Sequence, residues 1–318
     1  MSSAPDRAAG HPTGSTPETS RGTDRAMKNA TVVVGTDLSS SAGEALTQAA
    51  AWAKRRNAGL VVVHVAPDEI FRALETPQVT DALRARVDAV IGGLGLSIEV
   101  VLQAGTPHSA LVHAADERGA ELIVVGPSGE SSGSHPRFGG TAERVVRYAH
   151  CPVLVARASS PSISATGPVL ATTDFSSESE HGIDAAAREA EARGVPLWLV
   201  HAVYEPTSTL SLLGPLAIYA PELPDVDRAE LRDVARQTLR TLLEANHAQG
   251  EIAVLDGPPA SAVAEHATKI GASLVVVATR GRTGLSRIVL GSVAETIVRD
   301  APCAVLAVRR EHTPSAKG

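Results

Sequence analysis

Gly105-Thr-Pro-His-Ser-Ala-Leu111 and Gly119-Ala-Glu-Leu-Ile-Val-Val-Gly126 recur further along the chain as Gly257-Pro-Pro-Ala-Ser-Ala-Val263 and Gly271-Ala-Ser-Leu-Val-Val-Val-Ala278. The offset is constant (257 − 105 = 152), and it also relates Gly139 to Gly291 and Cys151 to Cys303. Nearer the N-terminus, Val34-Gly-Thr-Asp-Leu-Ser39 matches Ala171-Thr-Thr-Asp-Phe-Ser176, at an offset of 174 − 37 = 137. One fold is therefore carried twice, and the difference between the offsets (152 − 137 = 15) marks an insertion in the second copy. A period this long means tandem domains rather than a solenoid, so a site should be sought at equivalent places in both copies.

In the first copy, short β-branched runs at Thr31–Thr36, Leu60–Val65, Ile98–Leu102, Leu122–Gly126 and Val153–Ala156 alternate with amphipathic segments such as Ala42–Arg56, Val79–Gly93, Ser109–Arg118 and Thr141–Ala149. The second copy repeats the order with Val169–Thr173, Leu197–Ala202, Glu251–Leu255, Leu274–Ala278 and Ala304–Val308. The runs are continuously apolar, as parallel strands covered on both faces require. Alternating strands and helices imply right-handed crossovers. The expected fold class is α/β: two tandem doubly wound domains, each a five-stranded parallel sheet in the order 3-2-1-4-5 with helices on both faces. Residues 1–29, rich in Ser, Thr, Pro, Gly and Arg, read as a disordered extension. The expected domains are 30–157 and 168–310, with a linker at 158–167 and a tail at 311–318.

Composition narrows the function classes. A net charge of −6 leaves no footprint for nucleic acid, and 3% aromatic residues give no platforms on which single strands could stack. No apolar run reaches the ~20 residues that span a bilayer, and the N-terminus lacks the apolar core of a signal peptide. The two cysteines sit at equivalent places beside proline and read as small buried hydrophobes. A cytoplasmic location is expected.

Ligands of doubly wound sheets bind beyond the carboxyl ends of the strands. That singles out Thr36-Asp37 and Thr173-Asp174, His64-Val65 and His201-Ala202, and the glycine segments after the fourth strand of each copy. The second copy reads Ala278-Thr-Arg-Gly281-Arg282, continues to Gly291-Ser292-Val293 and opens a helix. Glycines let a backbone approach an anion, and the free N–H groups of a helix start point at it. The layout is neither a Walker A loop nor a dinucleotide fingerprint.

This arrangement resembles the universal stress protein family, in which G-x2-G-x9-G-(S/T) marks the members that bind ATP. The strand-one aspartate, the His-Val ending strand two, Gly-x-Pro before the next helix, and Ala-Glu-x-(V/I) after Gly-Ser extend the resemblance from Ala30 to Arg309. The resemblance implies adenine beside Asp37 and Val65, or Asp174 and Ala202, and ribose against Gly126 or Ala278. It implies phosphates among Gly129, Gly139, Gly140 and Thr141 in the first copy, and among Gly281, Gly291, Ser292 and Val293 in the second. It implies ATP as cofactor, with Mg²⁺ arriving through the nucleotide and water, and pairing of the two fifth strands as an internal pseudo-dimer. A homodimer and an unidentified protein partner are also expected, without nucleic acid or membrane.

Both copies depart from the motif. Gly140 stands where the first copy should carry a hydroxyl, and Ala278 stands where the second should carry glycine. Arg280 and Arg282 tip the balance slightly towards the second copy. Other readings stay open: Asp37 and Asp174 as helix caps, His64 and His201 as structural histidines, and the 204–224 insertion as a lid or packing segment. A slow ATPase and a nucleotide-free interaction module remain as rivals to an ATP-binding regulator. Glu130 and Glu295 are nearby in sequence, Glu295 at a helix start that it could simply cap, and no Walker B partner stands out.

Overall fold

Val32, Val33 and Val34 are all fully buried in succession, which a strand achieves only when helices cover both faces of its sheet. The computed structural model describes residues 30–128, 139–157, 166–204, 228–279 and 290–309. In the first copy the elements are β1 (Thr31–Thr36), α1 (Ser40–Arg56), β2 (Gly59–Ala66), α2 (Asp68–Leu74), α3 (Pro77–Ile91), β3 (Ile98–Ala104), α4 (Pro107–Arg118), β4 (Leu122–Val125), α5 (Gly140–Tyr148) and β5 (Val153–Val155). The second copy gives β6 (Val169–Thr172), α6 (Ser177–Arg193), β7 (Leu197–Val203), α7 (Arg228–Ala245), β8 (Glu251–Asp256), α8 (Pro259–Ile270), β9 (Leu274–Ala278), α9 (Ser292–Asp300) and β10 (Ala304–Val308).

The strands form one 10-stranded sheet in the order β3-β2-β1-β4-β5-β10-β9-β6-β7-β8. Within each copy the order is the expected 3-2-1-4-5 and every pairing is parallel. The copies join through β5 and β10, antiparallel, with Leu154 opposite Leu306. Two apolar layers, one on each face of the sheet, run through both copies. The chain's own fifth strands thus satisfy each other's exposed edge.

Side chains crossing this junction follow the internal symmetry. Arg157, just after β5, donates to the carbonyls of Val298 and Arg299, the latter at 2.8 Å, at the carboxyl end of α9. Its counterpart Arg309 donates to the carbonyl of Arg147 at 2.7 Å, at the carboxyl end of α5. Each guanidinium meets the orphan carbonyls of the other copy's last helix, where a positive charge is favourable. Where α1 meets α6 the symmetry is broken. Trp52 has Glu189 as its counterpart under the 137-residue offset. Glu189 has no exposed side-chain surface and is held by Arg55 at 2.8 Å, Arg56 at 3.3 Å and Arg193 at 2.6 Å. Arg56 lies over the Trp52 ring, 4.9 Å from its centre.

Candidate functional site

Gly105 and Gly257 turn the chain after β3 and β8 at φ of 107° and 102°, a conformation that only glycine adopts without strain. The turns deliver Pro107 and Pro259 as the first residues of α4 and α8. Each proline then forms part of the wall of a cavity at the carboxyl ends of the strands. The first cavity, about 540 Å³, is bordered by Thr36, Asp37, Val65, Gly126, Gly139, Gly140 and Thr141. The second, about 290 Å³, is bordered by Thr173, Asp174, Ala202, Ala278, Gly291, Ser292 and Val293. Gly129, Gly281 and Arg282 lie outside the described residues, as do Glu130, Arg280 and most of the 204–224 insertion.

The strand-one aspartates do not cap the following helix. Ser39 accepts from the N–H of Ala42 and Ser176 from that of Ser179, so the serines are the caps. Asp37 accepts instead from the N–H of Ser39, and Asp174 from the N–H and hydroxyl of Ser176. The aspartates brace the capping residue and border the cavity at the same time. Thr36 and Thr173 act similarly, taking the N–H of Leu38 and Phe175, whose φ values of 65° and 64° mark a left-handed turn. His64 and His201 each place Nδ1 2.8 Å from the carbonyl of Thr36 or Thr173, tying strand two to strand one. His201 also stacks on Phe175 at 4.0 Å.

On the opposite wall, α5 and α9 begin on Gly139 and Gly291 and receive no side-chain cap among the described residues. The loops close identically: the N–H of Gly139 donates to Pro127 and that of Gly291 to Thr279. The first N–H groups of both helices therefore stand at the cavity wall with the positive end of the helix dipole behind them.

Gly126 has a structural reason that the sequence reading did not contain. A Cβ built on it meets the Ser41 hydroxyl at 2.8 Å and the Ser41 carbonyl oxygen at 3.2 Å, so the start of α1 packs directly on its Cα. The second copy redistributes the atoms. Ala278 carries the methyl, and a Cβ built on Gly182 of α6 would stand in ordinary contact with it, 3.9 Å from the Ala278 Cβ. The counterpart of Gly182 is Ala45, so glycine and alanine have exchanged places between strand and helix. Other exchanges are not balanced. Thr172 and Ser179 border the second cavity where Gly35 and Ala42 border the first. Both positions carry more side chain in the second copy, whose cavity is the smaller. Ala42, Ser179 and Leu111 were not singled out in the sequence, although comparing the copies at the 137-residue offset flags the first two.

Among the described residues no group of three or more His, Cys, Asp or Glu side chains converges on a metal-sized space, and no helix is long and apolar enough to cross a membrane. Glu295 lies 3.9 Å from Arg147 of the other copy, at the rim of the junction. Burial pushes both thiols up, Cys151 and Cys303 each to about 12.

Comparison with known proteins accounts for the duplication. The model of the universal stress protein family matches residues 28–157 and again 166–309. The universal stress protein Rv2623 of Mycobacterium tuberculosis is 30% identical over 303 residues, covering 89% of this chain and 97% of that protein. Rv2005c of the same organism is 29% identical over 302 residues, covering 88% and 97%. In fold, a universal stress protein from Archaeoglobus fulgidus superposes with a TM-score of 0.64 at 19% identity, covering 88% of this chain and 98% of its own. With both copies matched and the similarity running the length of its relatives, the chain belongs to the universal stress protein family as a member with two domains in tandem.

Proposed function

We propose that this protein is an ATP-binding regulator of the stress response, in which nucleotide in the strand-end cavities sets the surface offered to a protein partner. The observation that carries the reading is the first cavity. Its 540 Å³ falls within the range of small-molecule sites, and it has an uncapped helix start on one wall and Asp37 on the other. Asp37 and Val65 would face the base, and the N–H groups from Gly139 to Thr141 the phosphates. Mg²⁺ would come with the phosphates and water. The sequence balance leaned towards the second copy; cavity volume favours the first. The second cavity, at 290 Å³, would take a smaller nucleotide or bind more weakly.

A homodimer, if formed, uses surfaces other than β5 and β10, which are occupied by each other. Cytoplasmic residence agrees with two cysteines left as free thiols.

The deciding experiment is the nucleotide content of the purified protein, released by heat and identified by mass spectrometry, beside Gly140→Glu and Gly291→Glu variants. Neither position has a positive φ, and a Cβ meets nothing within 4 Å at Gly140 and only the Thr279 carbonyl at 3.7 Å at Gly291. Both variants should fold, while the new carboxylate repels phosphate. ATP in the wild type, lost chiefly in Gly140→Glu, upholds the reading. An empty wild type that also gives no heat with ATP in calorimetry overturns it in favour of an interaction module.

A further inference from the structure

The helices that border the two cavities are held at their far ends by the opposite domain. α5 and α9 begin with Gly140 and Ser292, which stand at the walls of the first and second cavity. In the last turn of α5 the Arg147 carbonyl takes the guanidinium of Arg309, and in the last turn of α9 those of Val298 and Arg299 take that of Arg157. Each helix has nine residues and no side-chain cap at its start. A helix so short is not stable alone, so the aim of its first N–H groups depends on what holds it. Ala149 closes on the Val145 carbonyl and Ala301 on that of Ile297. The arginines take carbonyls one and two residues further on, where the helix runs out of its own donors.

Each arginine is also tied to the cavity of its own domain. Arg309 follows Val308, whose carbonyl accepts from the Thr279 N–H at 2.9 Å, and the Thr279 carbonyl accepts from the N–H of Gly291, where α9 begins, at 3.0 Å. Arg157 follows Ala156, whose N–H donates at 2.8 Å to the carbonyl of Val125, a residue of the first cavity wall. Two contiguous runs of bonds thus lead from one cavity, through an arginine, to the helix of the other.

We propose, on the nucleotide reading above, that Arg309 and Arg157 are positioning residues for phosphate bound in the opposite domain, so that each site is completed by the domain that does not contain it. Phosphate at the start of a helix and a guanidinium at its end both complement the same dipole. Nine residues span about 13 Å, more than the ~8 Å Debye length, so direct attraction between the two charges is screened. The arginine therefore acts through the placement of the helix. Base contacts are spared, since Asp37 and Val65 belong to β1, β2 and the turn after β1.

Calorimetry on the full-length chain tests this. A Gly291→Glu background leaves the first site to be titrated with ATP, and a Gly140→Glu background the second. Arg309→Gln should weaken ATP roughly three- to tenfold at the first site and less than about twofold at the second, and Arg157→Gln the reverse. Adenosine, followed by displacement of ATP, should bind as before in every variant, a selectivity that general destabilisation would not produce. Arg309→Lys and Arg157→Lys keep the charge, lose the fork and should fall between. Should a glutamine variant unfold, its lysine counterpart decides: a loss of about twofold at the opposite domain's site supports the role and no loss refutes it. If only one site takes ATP, that site and its arginine decide. Losses confined to the arginine's own domain, or equal for ATP and adenosine, overturn the proposal. A wild type that binds no ATP overturns the nucleotide reading and this one with it, whereas ATP binding indifferent to both arginines overturns this one alone.

Discussion

Arg55 of the first domain and Glu189 of the second meet at 2.8 Å, and the carboxylate has no exposed surface. With Arg56 and Arg193 it completes a cluster of three guanidiniums around one buried acid. The acid is what makes the cluster tolerable. Removing it leaves three like charges packed together, whereas removing one arginine leaves two partners for the acid.

Glu189→Gln should therefore cost about 3 kcal/mol, the lower end for a broken buried pair, because Arg55 and Arg56 remain partly hydrated. Arg55→Met should cost less than half of that. Urea denaturation of both variants checks the ranking, and equal losses would show that the acid is not the hub.

Arg157 donates to the carbonyls that end α9, with burial pulling its pKa down and nearby acid pulling against that. Arg157→Lys keeps the charge and loses the fork, so a loss of roughly 1.5–3 kcal/mol is expected from hydrogen bonds to a charged group. The junction should weaken before either domain does. Calorimetry checks this: the wild type should unfold in one transition and the variant in two.

Gly126→Ala drives a methyl into the start of α1 and should cost about 1–3 kcal/mol by overpacking. Adding Ser41→Ala removes the hydroxyl that the new methyl meets first and should recover part of the loss. A double-mutant cycle on thermal unfolding measures the coupling. Additive losses would mean that the Ser41 hydroxyl is not what the methyl meets.

The thiols give a pH dependence whose sign follows from their protonated folded form. Both are raised by burial, Cys151 further by Asp116, while Arg157 opposes the shift at Cys303. The unfolded thiols ionise near 9.0 and the folded ones near 12. Their contribution to stability is therefore complete below pH 9 and is lost as pH rises towards 12. Neither thiol should react with a disulfide reagent in the native protein at neutral pH, and both should react in denaturant. Fast native labelling of Cys303 would refute this.

The duplication, the strand order and the cavity-lining residues were legible because each leaves a local mark: repeated words, continuous apolar runs, and glycines at fixed offsets. The aspartates were read only in part. Sequence showed Asp37 beside serines but not that Ser39 takes the capping role, since both residue types favour that position equally. Glu189 was invisible: in Arg-Glu-Ala-Glu-Ala-Arg it resembles any exposed helical acid, and only the meeting of α1 with α6 buries it. Arg157 and Arg309 do recur at the same place after the fifth strand, a clue to a shared task. Their target carbonyls belong to the other domain, and pairing across 141 and 142 residues leaves no pattern along the chain.

The divergence of positions 52 and 189 has a consequence for each half alone. Two chains carrying only the first half would set indole against indole at the junction. Two carrying only the second would set carboxylate against carboxylate, with Ala192 in the place of Arg55 and Arg193 in that of Arg56. Either pairing lacks the arrangement in which Arg56 lies over Trp52 and also meets Glu189, so the halves are not interchangeable parts at this junction.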